Sequence, residues 1–363
     1  MNGDSSACCV LLGLVGLAVV ATAAQARARI TIRPLRADEE FDHQLCKRLG
    51  GMSGLPQAHA AWPRLPEALL AGNGSETLVA EVRGLIVGRA VLEAPYQPYS
   101  ELVSLVVRPD YRRRGVATAL VEEAIRRARE LGRKYMVLQE GHDLPAHSVY
   151  ERAGFVGGTV GEMRRLMHLL DVPLVSTFLR EHPAAVFASE PAADRGERWW
   201  RLSWREGDET VALYVRGGSC QSDSDGFQPV VQGCEVTCGG RRLAAAVEMP
   251  PAIARTVPGR YPSPRDGTAE MRVAIENRGE APFEGALRAV LLPDTEVIGE
   301  HAGAAARLHL EAGEAISVPL GFRVRPQFRT DLQRFVSYPS VPFTAELCWD
   351  QSSVLLSAAV KVT

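Results

Sequence analysis

The sequence predicts an α+β domain followed by an all-β region. Segments of strand and helix period alternate from Ile30 to Leu170, whereas beyond residue 197 the apolar pattern has period two almost throughout. The chain has 363 residues, 46% hydrophobic and 23% charged, which is an ordinary globular composition and length enough for two or three cores. The composition shifts divide it into an apolar N-terminal extension (1–28), the α+β domain (29–171), a linker (172–196), a small β-rich region (197–255) and a β-sandwich (256–363).

Net charge is -2, from 41 Lys plus Arg against 43 Asp plus Glu, so no global field draws the protein to nucleic acid, and no nucleic-acid partner is expected. Seven cysteines at irregular spacing are too few for a disulfide scaffold and point to a reducing, cytoplasmic setting. The extension complicates this, because Ala7 to Ala24 is an uncharged run near the lower limit for a spanning helix. Three readings stand open: a dispensable or mis-started extension, a membrane anchor, and a signal peptide cut at Ala24-Gln25-Ala26. The leading MNGDSS carries Asp4 and no Lys or Arg, which is wrong for export. Arg27, Arg29, Arg33 and Arg36 follow the run, so an anchor would leave the rest of the chain in the cytoplasm.

From Ile30 a short alternating strand turns at Pro34 into a helix capped by Asp38, with Glu39 and Glu40 in its first turn. A second short helix is expected near Pro66 to Ala71, then an antiparallel hairpin about Arg83-Gly84, then a strand from Glu101. Val116 to Leu131 is an amphipathic helix, with apolar residues at 116, 120, 121, 124, 128 and 131 and outer pairs Glu122–Arg126 and Glu123–Arg127. KYMVLQE is a buried strand, Ala146 to Ala153 a short helix, and Glu162 to Leu170 a last strand.

The chemistry concentrates at Arg108 to Leu120, where a strand ends, a basic loop turns at Gly115 and a helix opens. Backbone N–H groups there converge at a helix N-terminus that carries about half a positive charge, and Arg112, Arg113 and Arg114 add more. An anion fits this place. Each N–H to a charged oxygen is worth about 1.5–3 kcal/mol, so a few of them hold a pyrophosphate without a metal. The loop lacks the Lys-Ser/Thr of a P-loop and the glycine spacing of a dinucleotide turn. A solvated basic turn is the other reading of the same residues.

The R-x-x-G-x-A element (Arg112, Gly115, Ala117), the helix after it and the downstream AHSVYERAGF together resemble the GNAT N-acetyltransferase superfamily over about residues 29–171. The resemblance implies a mixed, mostly antiparallel central sheet with splayed strands and flanking helices. It also implies acetyl-coenzyme A as cosubstrate in the cleft where Ser104 to Val107 diverges from Met136 to Gln139. Pantetheine would run along Leu105, Val106 and Val107, and the pyrophosphate would sit on Arg112, Arg113, Arg114, Gly115, Val116, Ala117 and Thr118. Family members commonly place Asn seven residues before the motif tyrosine; here Asp143 stands there, while the Ala four before it is kept as Ala146.

The acceptor implied is a primary amine, on a small molecule or a protein. Such an amine is protonated at neutral pH, which costs about 4–5 kcal/mol unless a base takes the proton. Glu101, eleven residues before Arg112, has a spacing similar to that of the family's catalytic glutamate; its other reading is an edge residue facing solvent. Tyr150 would return a proton to the leaving thiolate; its other reading is a core tyrosine. His142 and His147 receive no role.

Within 172–196 one short helix, VSTFLREH, is expected. Trp199, Trp200 and Trp204 either line a groove or fill a small core. Cys220, Cys234 and Cys238 lack a fourth ligand nearby in sequence, so no metal is expected. From Thr268 about seven short alternating strands read as a sandwich that resembles bacterial immunoglobulin-like accessory modules, which implies protein contact or self-association. The rival to an acetyltransferase is a catalytically silent adaptor that uses this sandwich for protein contacts.

Overall fold

The computed structural model describes residues 29–50, 74–94, 97–141, 146–160, 163–196, 198–217, 229–248, 268–291, 295–302, 304–324 and 340–361. The apolar run 7–24, the helix expected at 66–71, Asp143, His142 and Cys220 lie outside them. No described helix is long and apolar enough to cross a membrane.

The first sheet has the order β1-β2-β3-β4-β5-β7-β6. Its elements are β1 (Thr31–Pro34), α1 (Glu40–Leu49), β2 (Gly74–Val82), β3 (Leu85–Ala94), β4 (Tyr99–Val107), α2 (Val116–Glu130), β5 (Tyr135–Gly141), α3 (His147–Arg152), β6 (Val156–Val160) and β7 (Met163–Leu169). Only β4 and β5 are parallel; every other neighbouring pair is antiparallel. The sequence reading has one final strand, but β6 adds a second. Its glycines hid it from strand propensity, and Gly158 has a structural reason: a Cβ there would stand 1.5 Å from Trp200 Nε1.

The helices depart from expectation in detail. Asp38 does not cap α1; Glu39 holds the N-cap position without a side-chain cap bond, and its carboxylate accepts the Arg36 N–H at 2.9 Å and binds Arg33. Along α2, Val116, Leu120, Val121, Ala124, Ile125 and Ala128 are buried, while Leu131 falls just past the end and is exposed. Glu123–Arg127 forms at 3.3 Å, but Arg126 pairs with Glu123 and Glu130 rather than Glu122.

The rest of the chain comprises α4 (Pro173–Glu181), β8 (Val186–Pro191), β9 (Trp199–Glu206), β10 (Glu209–Arg216), β11 (Val230–Cys238), β12 (Arg241–Glu248) and β13 (Thr268–Asn277). It continues with β14 (Phe283–Val290), β15 (Thr295–Ile298), β16 (Ala306–Leu310), β17 (Ala315–Val324), β18 (Ser340–Trp349) and β19 (Ser352–Lys361). These strands make two antiparallel sheets, ordered β15-β17-β13-β12-β11-β10-β9-β8 and β16-β14-β18-β19. Two of the expected boundaries are corrected. Residues 172–196 are not a linker: α4 buries Leu174, Val175 and Phe178, and β8 pairs along β9. Nor is there a break at 255, because β12 pairs directly with β13, with Val247 opposite Val273.

Both C-terminal sheets feed one apolar cluster, with Leu213, Val236, Val273 and Leu320 from the larger and Phe283, Leu287, Phe343 and Leu356 from the smaller. Trp204 joins that core, and Trp200 is buried against β6, so these two fill space rather than line a groove, while Trp199 is half-buried. Tyr99, Tyr135, Val137 and Met167 of the first sheet belong to the same cluster. The opposite face of that sheet has its own core, where Ala90, Leu92, Leu102, Met136 and Leu138 meet α2. At the seam, Tyr99 and Tyr135 stack at 5.0 Å, the Tyr99 hydroxyl donates to Ser357 Oγ (3.0 Å) and accepts from Val231 N–H (3.1 Å), and the Tyr135 hydroxyl donates to Leu355 O (3.1 Å). Hydrogen bonds of this kind contribute about 1 kcal/mol each, but an unmet phenol in so dry a place costs more, and these bonds tie the two parts together.

Candidate active site

The two parallel strands part almost as soon as they meet. β4 pairs with β5 only at Tyr99, Ser100 and Glu101, opposite Tyr135, Met136 and Val137. A bulge follows, with Ser104 at φ 56 and the β3 register shifting between Arg89 and Val91. Val106 and Val107 keep their partners Arg89 and Gly88 on β3, while Leu105 to Val107 have no β5 partner, so this edge of β4 is open as the sequence reading expects. Leu105 and Val107 pack against the α2 core.

Past a 3₁₀ turn at Pro109–Tyr111 the chain reaches Arg113 at φ 59 and Gly115 at φ 86, the left-handed N-cap of α2. Gly suits this conformation, and a Cβ on it would meet nothing within 4 Å. α2 has no side-chain cap and no acid in its first turn. Its first backbone bond runs from Ala119 N–H to Gly115 O (3.0 Å), so the amides of Val116, Ala117 and Thr118 find no acceptor among the described residues. That leaves three donors and the positive end of the helix facing out. The arginines divide their labour. Arg112 donates to Gly50 O (3.0 Å) and Val107 O (3.2 Å), bracing the loop, and Arg114 lies over the Tyr111 ring at 5.3 Å. Arg113 makes no ion pair among the described residues and is exposed.

Tyr150, on α3, is buried beside Phe155, edge to face at 5.8 Å. Burial first, and then the nearby Glu140 carboxylate, push its phenol well above the ordinary value, so it stays protonated. Ala146 sits at the head of α3, its carbonyl accepting from Val149 and Tyr150 N–H. Glu140 went unnoticed in the sequence. It is almost wholly buried at the end of β5; its Oε1 binds His147 Nδ1, while Oε2 is buried with no described partner. His147 Nε2 in turn lies 3.0 Å from Glu151 Oε1. The clue lay in the β5 alternation, since Met136, Leu138 and Glu140 share the face toward Tyr150.

Glu101 is buried, not solvent-facing. It lies on the same face of β4 as Tyr99, and directly opposite Glu93 of β3. Such cross-strand partners have Cβ atoms about 5 Å apart. Glu93 is also buried, and burial pushes its carboxyl from 4.5 up to about 7. Sequence reasoning missed Glu93, although Leu92 facing the α2 core already places its neighbour on the other side with Glu101.

Residues 45–155 match the acetyltransferase (GNAT) family, and this part of the chain is a GNAT acetyltransferase domain. Solved structures with a similar fold include the ribosomal-protein-S18-alanine N-acetyltransferase of Escherichia coli, at 18% identity and TM-score 0.32, covering 40% of this chain and 96% of that one. They include also the PaiA N-acetyltransferase of Thermoplasma acidophilum in complex with coenzyme A, at 18% and 0.31, covering 39% and 99%. A third is Ard1 of Thermoplasma volcanium, at 19% and 0.30, covering 39% and 98%. No curated protein matches the chain.

Proposed function

We propose that the protein is an acetyl-coenzyme A dependent N-acyltransferase that moves the acetyl group to a primary amine by direct attack within a ternary complex. The observation that carries this reading is the uncapped start of α2 at the open end of the β4–β5 split. The amides of Val116, Ala117 and Thr118 bind the pyrophosphate, Arg113 adds charge, and the free edge at Leu105 to Val107 pairs with the pantetheine amides. Arg112, Arg114, Gly115 and Ala146 shape this binding surface rather than react; Asp143, which the family resemblance adds to it, lies outside the described residues.

The acceptor amine approaches on the face of Glu93 and Glu101. Burial raises the Glu93 carboxyl to about 7, a value suited to taking the amine's proton beside Glu101, directly or through water. The freed amine forms a bond to the thioester carbonyl carbon, the C–S bond breaks, and Tyr150 gives its proton to the leaving sulfur. The Glu140–His147 pair beside Tyr150 supplies a route for returning that proton. The C-terminal sheets, read as an immunoglobulin-like β-sandwich, position a protein partner or a second copy, and the protein works in the cytoplasm.

Calorimetric titration of acetyl-coenzyme A into the full chain and into Ala117→Glu tests the reading. A first-turn Glu suits the helix dipole, so the fold is expected to hold, yet it sets a carboxylate in the anion seat. Measurable affinity in the parent and a loss of at least about 100-fold in the variant are expected. Equal affinity in both, or none in the parent, overturns the assignment.

A further inference from the structure

The stretch read from sequence as a linker brings a histidine to a cysteine 56 residues away. His182 follows α4, its imidazole stacked on Phe178 at 4.4 Å. Its Nε2 lies 3.5 Å from Cys238 Sγ, at the end of β11, and 3.0 Å from Glu209 Oε2, at the start of β10. Donor atoms of Glu181, His182 and Cys238 all fall within 4.8 Å of one another. The Glu209 carboxylate is already oriented, since its other oxygen accepts the Gly239 N–H at 3.0 Å.

These separations have a chemical meaning. In a tetrahedral zinc site with a Zn–S bond of about 2.3 Å and a Zn–N bond of about 2.0–2.1 Å, sulfur and nitrogen stand about 3.5 Å apart, and nitrogen and carboxylate oxygen about 3.3 Å. The Cys238–His182 distance therefore needs no adjustment to accept an ion, and the His182–Glu209 distance needs only a few tenths of an ångström. Gly239 N–H holding the second carboxylate oxygen is the kind of outer contact that fixes a metal ligand. Access is present as well, because Cys238 and Glu181 line a cleft of about 430 Å³, together with Phe178, Arg241 and Trp349.

We propose that His182, Cys238, Glu209 and Glu181 form a binding site for a divalent metal ion of zinc type, tying the end of α4 to the β10 and β11 ends of the large sheet. One thiolate, one imidazole and two carboxylates select a borderline ion over calcium or magnesium. On binding, the Cys238 thiol gives its proton to solvent and sulfur coordinates as thiolate. The site stands apart from the coenzyme cleft and does not depend on the acetyltransferase reading.

Cobalt(II) serves as the probe, titrated into the full chain freed of any histidine tag. One equivalent is expected to bring up thiolate-to-cobalt charge-transfer absorption in the near ultraviolet, which zinc then abolishes. Cys238→Ser is expected to lose the band, Glu209→Gln to keep it with affinity lower by at least about tenfold, and zinc to raise the melting temperature of the parent but not that of Cys238→Ser. Should Cys238→Ser not fold, alkylation of the parent followed by peptide mapping decides: zinc is expected to shield Cys238. No band in the parent, a band unchanged in Cys238→Ser, or Cys238 alkylated equally with and without zinc overturns the site.

Discussion

Asn277, in the C-terminal sheets, and Glu140, in the acetyltransferase sheet, are both almost wholly buried, yet only the first has spent its hydrogen-bonding capacity. The Asn277 amide nitrogen donates to the carbonyls of Ala281 (2.9 Å), Leu310 (3.0 Å) and Glu311 (3.1 Å), and its oxygen accepts the Gly279 N–H at 3.0 Å. It closes a loop and can do nothing else. Glu140 keeps one buried oxygen without a described partner, beside a phenol held protonated. The same contrast separates the satisfied Thr344–Ser357 pair (2.8 Å) from the open amides at the start of α2. Buried polar groups are normally satisfied; among the described residues, the Glu140 oxygen and the open α2 amides flank the β4–β5 split, while other buried nitrogens without a partner, such as Arg195 Nε, lie elsewhere.

Three substitutions test this contrast, beginning with the largest effect. Tyr150→Phe keeps the ring packing and removes only the hydroxyl, so turnover on a responsive amine is expected to fall about 10²–10⁴-fold while coenzyme affinity holds; steady-state kinetics beside calorimetry checks both. Unchanged turnover would assign the phenol to the core alone. Asn277→Leu is expected to do the reverse, costing about 2–4 kcal/mol in denaturant melts by stranding three carbonyls and an amide, with coenzyme affinity unaltered in the folded protein.

The smallest effect concerns Glu93, and its sign follows from its carboxyl being raised on folding. The folded state holds the proton more tightly than the unfolded state, so stability is lost as pH rises from about 4.5 to about 7 and no further above that. Glu93→Gln removes the penalty. The variant is expected to be more stable than the parent at pH 8, by up to about 3 kcal/mol, and to match it near pH 4.5. Melting curves at the two pH values show the difference, and a variant less stable at pH 8 would mean that the carboxylate is paired.

Much of this was legible in local pattern. The described elements to residue 170 other than β6, the loop Arg112 to Thr118, the short helix bearing Tyr150 and the seven strands beyond Thr268 follow from periodicity and turn residues, which report on a chain segment and its immediate neighbours. What escaped depends on residues distant in sequence. Glu93 becomes chemically interesting only when β3 sets it against Glu101, and His182 only when α4 packs its end over Cys238. The expected break at 255 failed for the same reason, since pairing of β12 with β13 leaves no mark on either strand alone. β6 was lost because glycines that make room for Trp200 look like a loop.

The tyrosine seam also imposes an order in time. Tyr99 and Ser357 are 258 residues apart, and Tyr135 and Leu355 are 220 apart. At the usual 5–20 residues per second, a nascent chain waits roughly 10–50 s between making these phenols and making their partners. Through that interval the acetyltransferase sheet can close its α2 side but not the other, where Tyr135, Val137 and Met167 await the last strands. The strands that cover this sheet are thus made long after the sheet itself, and a chain truncated before β19 leaves the ribosome with the apolar back of that sheet uncovered.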